Sequence, residues 1–282
     1  MHWKIGNVTV TRVVEEELPT PGTVVLPDAV PESLAKIPWL APHFIRPDGM
    51  LVLSIHALVV ESQGRKIVVD TCLGNDKKRT LIADWNMRKG PFLQQLKDAG
   101  HPRESIDTVI CTHLHVDHVG WNTMLVNGRW VPTFPKARYL IGRKEWDFWR
   151  SEPENPDEPI MSDSVKPIFD AGLADLVEAD HKLTSEVWLE PTHGHTPGHV
   201  SVRISSAGED AVITGDMMHH PSQIAKPEWA SNFDWNQEKG RETRRSALAR
   251  WSAGGYLVIG THFAAPTAGR IVRDGDAWRF AV

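Results

Sequence analysis

Thr112-His113-Leu114-His115-Val116-Asp117-His118 sets three histidines and an aspartate directly behind the compact apolar run Ile106-Asp107-Thr108-Val109-Ile110-Cys111. The run has the length and β-branched content of a buried strand. Where such a strand ends, alternate residues point the same way, so His113 and His115 can meet one ion. Asp117 and His118, just past the bend, can face a second. Imidazole and carboxylate donors without thiolate suit Zn²⁺, and also Mn²⁺, Co²⁺ or Fe²⁺. The competing reading, a polar loop with surface histidines, is disfavoured by so many donors in so few positions.

Three later segments repeat the format of an apolar strand ending in a potential ligand. Thr192-His193-Gly194-His195-Thr196-Pro197-Gly198-His199 follows Val187-Trp188-Leu189. Ala211-Val212-Ile213-Thr214-Gly215 leads to Asp216, and Tyr256-Leu257-Val258-Ile259-Gly260-Thr261 leads to His262. Ligands at strand ends are held well because the sheet fixes their backbones.

Around these segments the pattern reads as strands interleaved with helices. Strands are expected at 3–14, 50–61, 65–70, 106–111, 137–141, 187–191, 200–205, 211–214 and 256–260, with a closing hairpin at 269–282 that turns at Asp274-Gly275. Helices are expected at 90–99, 143–150 and 237–252, and a loop at 152–159. The proline-rich stretch 18–49 has no clear period. It reads as a long ordered arm over the surface, with one helical turn near 31–36, that roofs the pocket or wraps a partner subunit. No linker, repeat or composition shift divides the chain, so a single α/β domain over 1–282, two β-sheets covered by helices, is expected.

Composition narrows the function classes. The 282 residues carry a formal charge of −5, which gives nucleic acid no basic surface to meet. No apolar run reaches transmembrane length and no leader peptide is legible. Two cysteines, Cys72 and Cys111, make no disulfide framework; they are expected to be buried free thiols in a reducing cytoplasm. Fourteen histidines are the compositional sign of metal chemistry. No G-x-S-x-G elbow is present, which argues against a covalent esterase.

The order H-x-H-x-D-H (113–118), G-H-T-P-G-H (194–199), G-D (215–216) and a late histidine (262) resembles the metallo-β-lactamase-fold hydrolase superfamily over about 50–282. The resemblance implies a four-layer αβ/βα sandwich of two mixed β-sheets flanked by helices. It implies two divalent metal ions, zinc first. His113, His115 and His195 would bind one ion, Asp117, His118 and His262 the other, and Asp216 both. Asp70, at the end of the strand before Cys72, would support the site through a hydrogen bond; the family often has glycine where Cys72 stands. His193 and His199 are expected to support the ligands rather than to bind metal.

Asp216 in G-D and histidine at 115 set the chain apart from lactamases with a cysteine ligand and from diiron flavoproteins. The pattern is most similar to the methyl parathion hydrolase and lactonase branch. The implied activity is a dinuclear metal-dependent hydrolase whose metal-bridging hydroxide attacks lactones, aryl esters or phosphotriesters. The alternatives are a hydrolytic dehalogenase of an aromatic compound and a non-catalytic metal-containing protein that binds small molecules. Asp117 is placed to orient the nucleophile and carry a proton. His219 stands where homoserine lactonases often have tyrosine, and it either hydrogen-bonds the substrate carbonyl or packs. Trp121, Phe134, Trp149 and His219 are the expected substrate contacts, which points to an apolar or aromatic small molecule. A homodimer is expected.

Overall fold

The computed structural model describes residues 1–282. The chain divides into two compact units, Met1–Glu15 with Ile55–Ala179 and Glu16–Ser54 with Asp180–Val282. No helix is long and apolar enough to cross a membrane.

In chain order the first strands are β1 (His2–Ile5), β2 (Val8–Thr20), β3 (Leu51–Ser62), β4 (Arg65–Val69) and β5 (Thr108–Cys111). They are followed by β6 (Thr123–Val126), β7 (Arg129–Pro132), β8 (Arg138–Gly142) and β9 (Ala174–Val177). A seven-stranded mixed sheet runs β1-β2-β3-β4-β5-β8-β9, and β6 and β7 form a separate hairpin. The pairs β4–β5, β5–β8 and β8–β9 are parallel. Parallel strands are covered on both faces, which is why every residue of β5, Thr108 included, is buried. The expected single strand at 3–14 is instead a hairpin, because the chain reverses at Gly6 with φ +58°.

The second unit holds a six-stranded mixed sheet of β10 (Val187–Pro191), β11 (Val200–Ser206), β12 (Glu209–Ile213), β13 (Leu257–Ile259), β14 (Ala268–Asp274) and β15 (Ala277–Ala281), in that order. Only β12–β13 is parallel. Its longest helix, Gln237–Gly254, is capped by Asn236, whose side chain accepts from the Lys239 N–H, and is stopped by Gly255 in the left-handed region. Arg244, Ala247, Leu248 and Trp251 are its buried residues after Gly240, a helical i, i+3, i+4, i+7 stripe.

The stretch 18–49 forms the expected helical turn at Pro31–Leu34 and leaves many of its residues exposed, while its apolar anchors are buried. Its Val25, Leu26, Leu34, Ile37, Leu40 and Phe44 join Val212, Leu248, Trp251, Val258 and Phe280 in the core of the second unit. The anchors are spaced irregularly between prolines, so no sequence period announces their burial. Phe44 packs edge-on to Phe263, and its carbonyl accepts from His220 Nε2 at 2.8 Å. Burial pushes the His220 pKa down to about 4, so the ring is neutral and Nε2–H donates.

Strand register explains where the candidate ligands emerge. Val69 pairs with Ile110 in parallel, so Asp70 and the 113–118 segment leave one end of the first sheet together. Ile213 pairs with Ile259, which places Asp216 and His262 three residues beyond paired positions. The antiparallel β10–β11 turn, carrying His195, lies at that same end of the second sheet.

Candidate metal centre

In the first unit the turn after β5 is held by Asp70. Its Oδ1 accepts from the Thr112 N–H and its Oδ2 from the Thr112 hydroxyl, both at 2.8 Å. Asp70 Oδ2 also lies 2.9 Å from His118 Nδ1. A carboxylate on Nδ1 fixes the tautomer that presents Nε2 to a ligand. The His113 ring centroid lies 4.6 Å from that of His115 and 4.0 Å from that of His118. Asp117 Oδ1 lies 3.6 Å from His118 Nε2, and its side chain keeps 16% of its exposure. The stretch 71–73 lies against 118–121: Thr71 N donates to His118 O and Gly120 N to Cys72 O, each at 2.7 Å. A Cβ on Gly120 would come within 1.9 Å of the Leu73 backbone, so only glycine fits there. Cys72 has φ +52°, the left-handed region in which glycine is least strained. Both cysteines are buried free thiols; burial pushes Cys111 up to about 12 and Cys72 well above its usual value.

In the second unit three imidazoles converge on one buried carboxylate oxygen. Asp216 Oδ2 lies 3.1 Å from His262 Nε2, 3.3 Å from His219 Nε2 and 3.7 Å from His195 Nε2. His262 Nδ1–H donates to the Ser54 carbonyl at 2.9 Å, which leaves Nε2 as its electron-pair donor. The Asp216 N–H donates to His199 Nε2 at 2.8 Å, and a Cβ on Gly215 would sit 2.5 Å from that nitrogen. His199 therefore supports Asp216, as expected, and His193 Nδ1 lies 3.1 Å from the His199 carbonyl. The donors are all imidazole and carboxylate, buried and aimed at common points, which fits divalent cations. His219 joins His195 and Asp216 as a potential ligand, a role the sequence reading did not give it.

The substrate contacts expected from sequence fall into two groups. Trp121 is buried, stacked on Phe92 and donating through Nε1 to Glu15 Oε1 at 2.7 Å. Burial pushes the Glu15 carboxyl above the usual range, opposed by its hydrogen bonds from Leu73 and Trp121. Phe134 is fully buried beside Tyr139. The structure thus places both rings in the interior of the first unit. Trp149 is only partly buried, and its ring meets His115 edge-on at 5.5 Å.

Three site residues escaped the sequence reading. Glu145 is buried, and its Oε1 accepts from the Leu114 N–H at 3.2 Å and Trp149 Nε1 at 2.7 Å. Asp234 Oδ1 lies 3.1 Å from His195 Nδ1. Arg244 lies behind Asp234, on the helix Gln237–Gly254. Burial pushes Arg244 down to about 10, so it remains charged near neutral pH. Charged residues on amphipathic helices ordinarily face water, and nothing local marks these as exceptions.

The metallo-beta-lactamase superfamily pattern matches residues 50–266, and the chain belongs to that superfamily. Among curated relatives, an N-acyl homoserine lactonase from Bacillus sp is 23% identical over 184 residues, 60% of this chain and 65% of the relative. A second, from Bacillus cereus, is 24% identical over the same shares. The matched stretch thus spans about two-thirds of the length of these relatives. Among solved structures, AidC, a dizinc quorum-quenching lactonase in complex with a product, superposes with TM-score 0.81 at 20% identity, covering 99% of this chain and 96% of that one. The hydrolase AbOPH of the beta lactamase superfamily gives TM-score 0.80 at 24% identity over the same shares. These likenesses establish the metallo-β-lactamase fold.

Proposed function

We propose that the chain is a dinuclear metal-dependent hydrolase for lactones, aryl esters or phosphotriesters. In this reading His113, His115 and His195 hold one ion, Asp117, His118 and His262 the other, and Asp216 both. The observation that carries it is that the buried Asp216 Oδ2 lies 3.1 Å from His262 Nε2 and 3.7 Å from His195 Nε2, the imidazoles assigned to the two ions, so one carboxylate can serve both. The lactonase relatives and the dizinc neighbour support it. Two bound divalent cations, zinc by preference, supply Lewis acidity that acidifies water and polarises a substrate oxygen. Asp117, partly exposed, carries the proton between the reacting centre and solvent. His219, fixed by its backbone N–H to Gln223 Oε1 at 2.7 Å, orients the substrate carbonyl.

An apolar or aromatic substrate is supported by the second unit's surface. Of all the phenylalanines and tryptophans only Phe233 (52%) and Trp235 (57%) are exposed. They flank Asp234, and the Phe233 ring lies 6.3 Å from that of His219. Trp149 adds a third aromatic surface beside His115.

The test is turnover of dihydrocoumarin, an aryl acetate and paraoxon, with a chlorinated aromatic nitrile as the dehalogenation control, by zinc-, manganese- and cobalt-loaded protein. No turnover of the first three refutes the proposal. Asp216→Ala is expected to lose bound metal and activity together; an active variant would refute the shared role of Asp216.

A further inference from the structure

We propose that Asp234, backed by Arg244, is a positioning residue for His195: it selects the His195 tautomer and so sets the affinity of one metal ion. The inference rests on the dinuclear reading, in which His195 binds metal through Nε2.

An imidazole offers one lone pair when neutral, and the partner of the other nitrogen decides which. Asp234 Oδ1 lies 3.1 Å from His195 Nδ1 and accepts a hydrogen bond from its N–H, so the lone pair is left on Nε2, the nitrogen 3.7 Å from Asp216 Oδ2. A carboxylate also makes the ring a stronger donor than a neutral acceptor would. The backbone around His195 is secured independently. The His193 carbonyl accepts from the Thr243 hydroxyl at 2.7 Å, the Gly194 carbonyl from Asn236 N at 3.0 Å, and the His195 carbonyl from Trp235 N at 2.8 Å. None of these bonds uses the Asp234 side chain, whose contact with His195 is to the ring.

The carboxylate is itself prepared. Its side chain is 1% exposed, and a buried anion needs compensation. Oδ2 accepts from the Ser231 N–H at 2.9 Å and faces Arg244 across an ion pair of 3.7 Å. Arg244 is fully buried; it also donates to the Met217 carbonyl at 3.1 Å, the Trp229 carbonyl at 2.8 Å and the Pro227 carbonyl at 3.0 Å. One guanidinium thus anchors both the carboxylate behind His195 and the residue after Asp216. Gly240 leaves room for this: a Cβ there would stand 3.2 Å from Asp234 Oδ2.

Asp234→Asn keeps the shape and removes the charge. Stepwise zinc affinities of the wild-type and variant proteins are measured against a competing chelator, with cobalt(II) absorption spectra and the melting temperature of the metal-free forms. One zinc is expected to bind about 10–100-fold more weakly in the variant, with the other changed far less. The cobalt spectrum shifts, and the metal-free melting temperature stays near that of the wild type. Unchanged zinc affinities overturn the inference. A variant that fails to fold, or whose metal-free form melts far lower, also overturns it, because the carboxylate would then be a structural staple. Wild-type protein that takes up fewer than two ions refutes the dinuclear reading and the inference with it.

Discussion

Lys77 lets burial be weighed against pairing in the first unit. Its side chain is 1% exposed; Nζ donates to the Thr123 hydroxyl at 2.8 Å and the Asp163 carbonyl at 3.1 Å, and lies 3.9 Å from the Trp130 ring centroid. Asp163 is already gripped by Arg79, with Nη1–Oδ2 at 2.8 Å and Nη2–Oδ1 at 2.9 Å. Two cations thus share one carboxylate. Burial first, with Arg79 adding to it and Asp163 and Asp76 opposing, brings the lysine from 10.5 down to about 7. The unfolded lysine keeps its proton up to about pH 10.5, whereas the folded one releases it near 7. Between those values the unfolded chain binds more protons, so stability rises with pH, and the full penalty is present below 7. At ~1.4 kcal/mol per pKa unit, the rise from pH 7 to pH 9 is about 2 kcal/mol at most. Lys77→Met removes the amine, while the Thr123 hydroxyl still donates to the Asp163 carbonyl and Arg79 still pairs with Asp163. Urea unfolding of both metal-free proteins, with chelator present, is followed from pH 6.5 to pH 9. The variant is expected to be at least as stable as wild type at pH 6.5. Wild type should then gain on it by about 2 kcal/mol between pH 7 and pH 9. Other titrations cancel in this difference, so a flat difference refutes the reasoning.

Two further outcomes follow from the site. Phe233→Ala and Trp235→Ala should each lower kcat/KM about tenfold for esters or lactones with a long apolar group, chiefly through KM, and leave short substrates nearly unchanged; equal losses on both would argue against an apolar subsite. Glu145→Ala strips the acceptor from the Leu114 N–H and from Trp149 Nε1. Each orphaned donor costs about 1–3 kcal/mol, so unfolding free energy should drop by several kcal/mol at most, and less in Glu145→Gln, which keeps an acceptor oxygen. A Glu145→Ala protein as stable as wild type would show that these hydrogen bonds carry no weight.

Much of the architecture was legible locally. The strand at β5 and the closing hairpin come from patterns within a few residues, and the structure forms both, with the hairpin turning one residue later than expected, at Gly275-Asp276, because Asp274 still pairs with Ala277. The β6–β7 hairpin and the helical turns Met161–Val165 and Lys166–Asp170 were missed. Their residues carry mixed polarity over spans too short for a period to emerge. The anchors of segment 18–49 stay hidden for a related reason: prolines break any period, yet its isolated apolar side chains still find a core.

The donors themselves belong to the sequence. Histidine and aspartate at 113, 115, 117, 118, 195, 216 and 262 declare their chemistry by type, and their places behind apolar strands follow from local pattern. What supports those donors was decided by tertiary structure. Glu145 reaches Leu114 across 31 positions, Asp234 reaches His195 across 39, and Arg244 reaches Met217 across 27. Their types are ordinary for exposed helix and loop residues. Only the packing that buries each one turns its charge from a solvated surface group into a support for the site, because burial removes the water that would otherwise satisfy it.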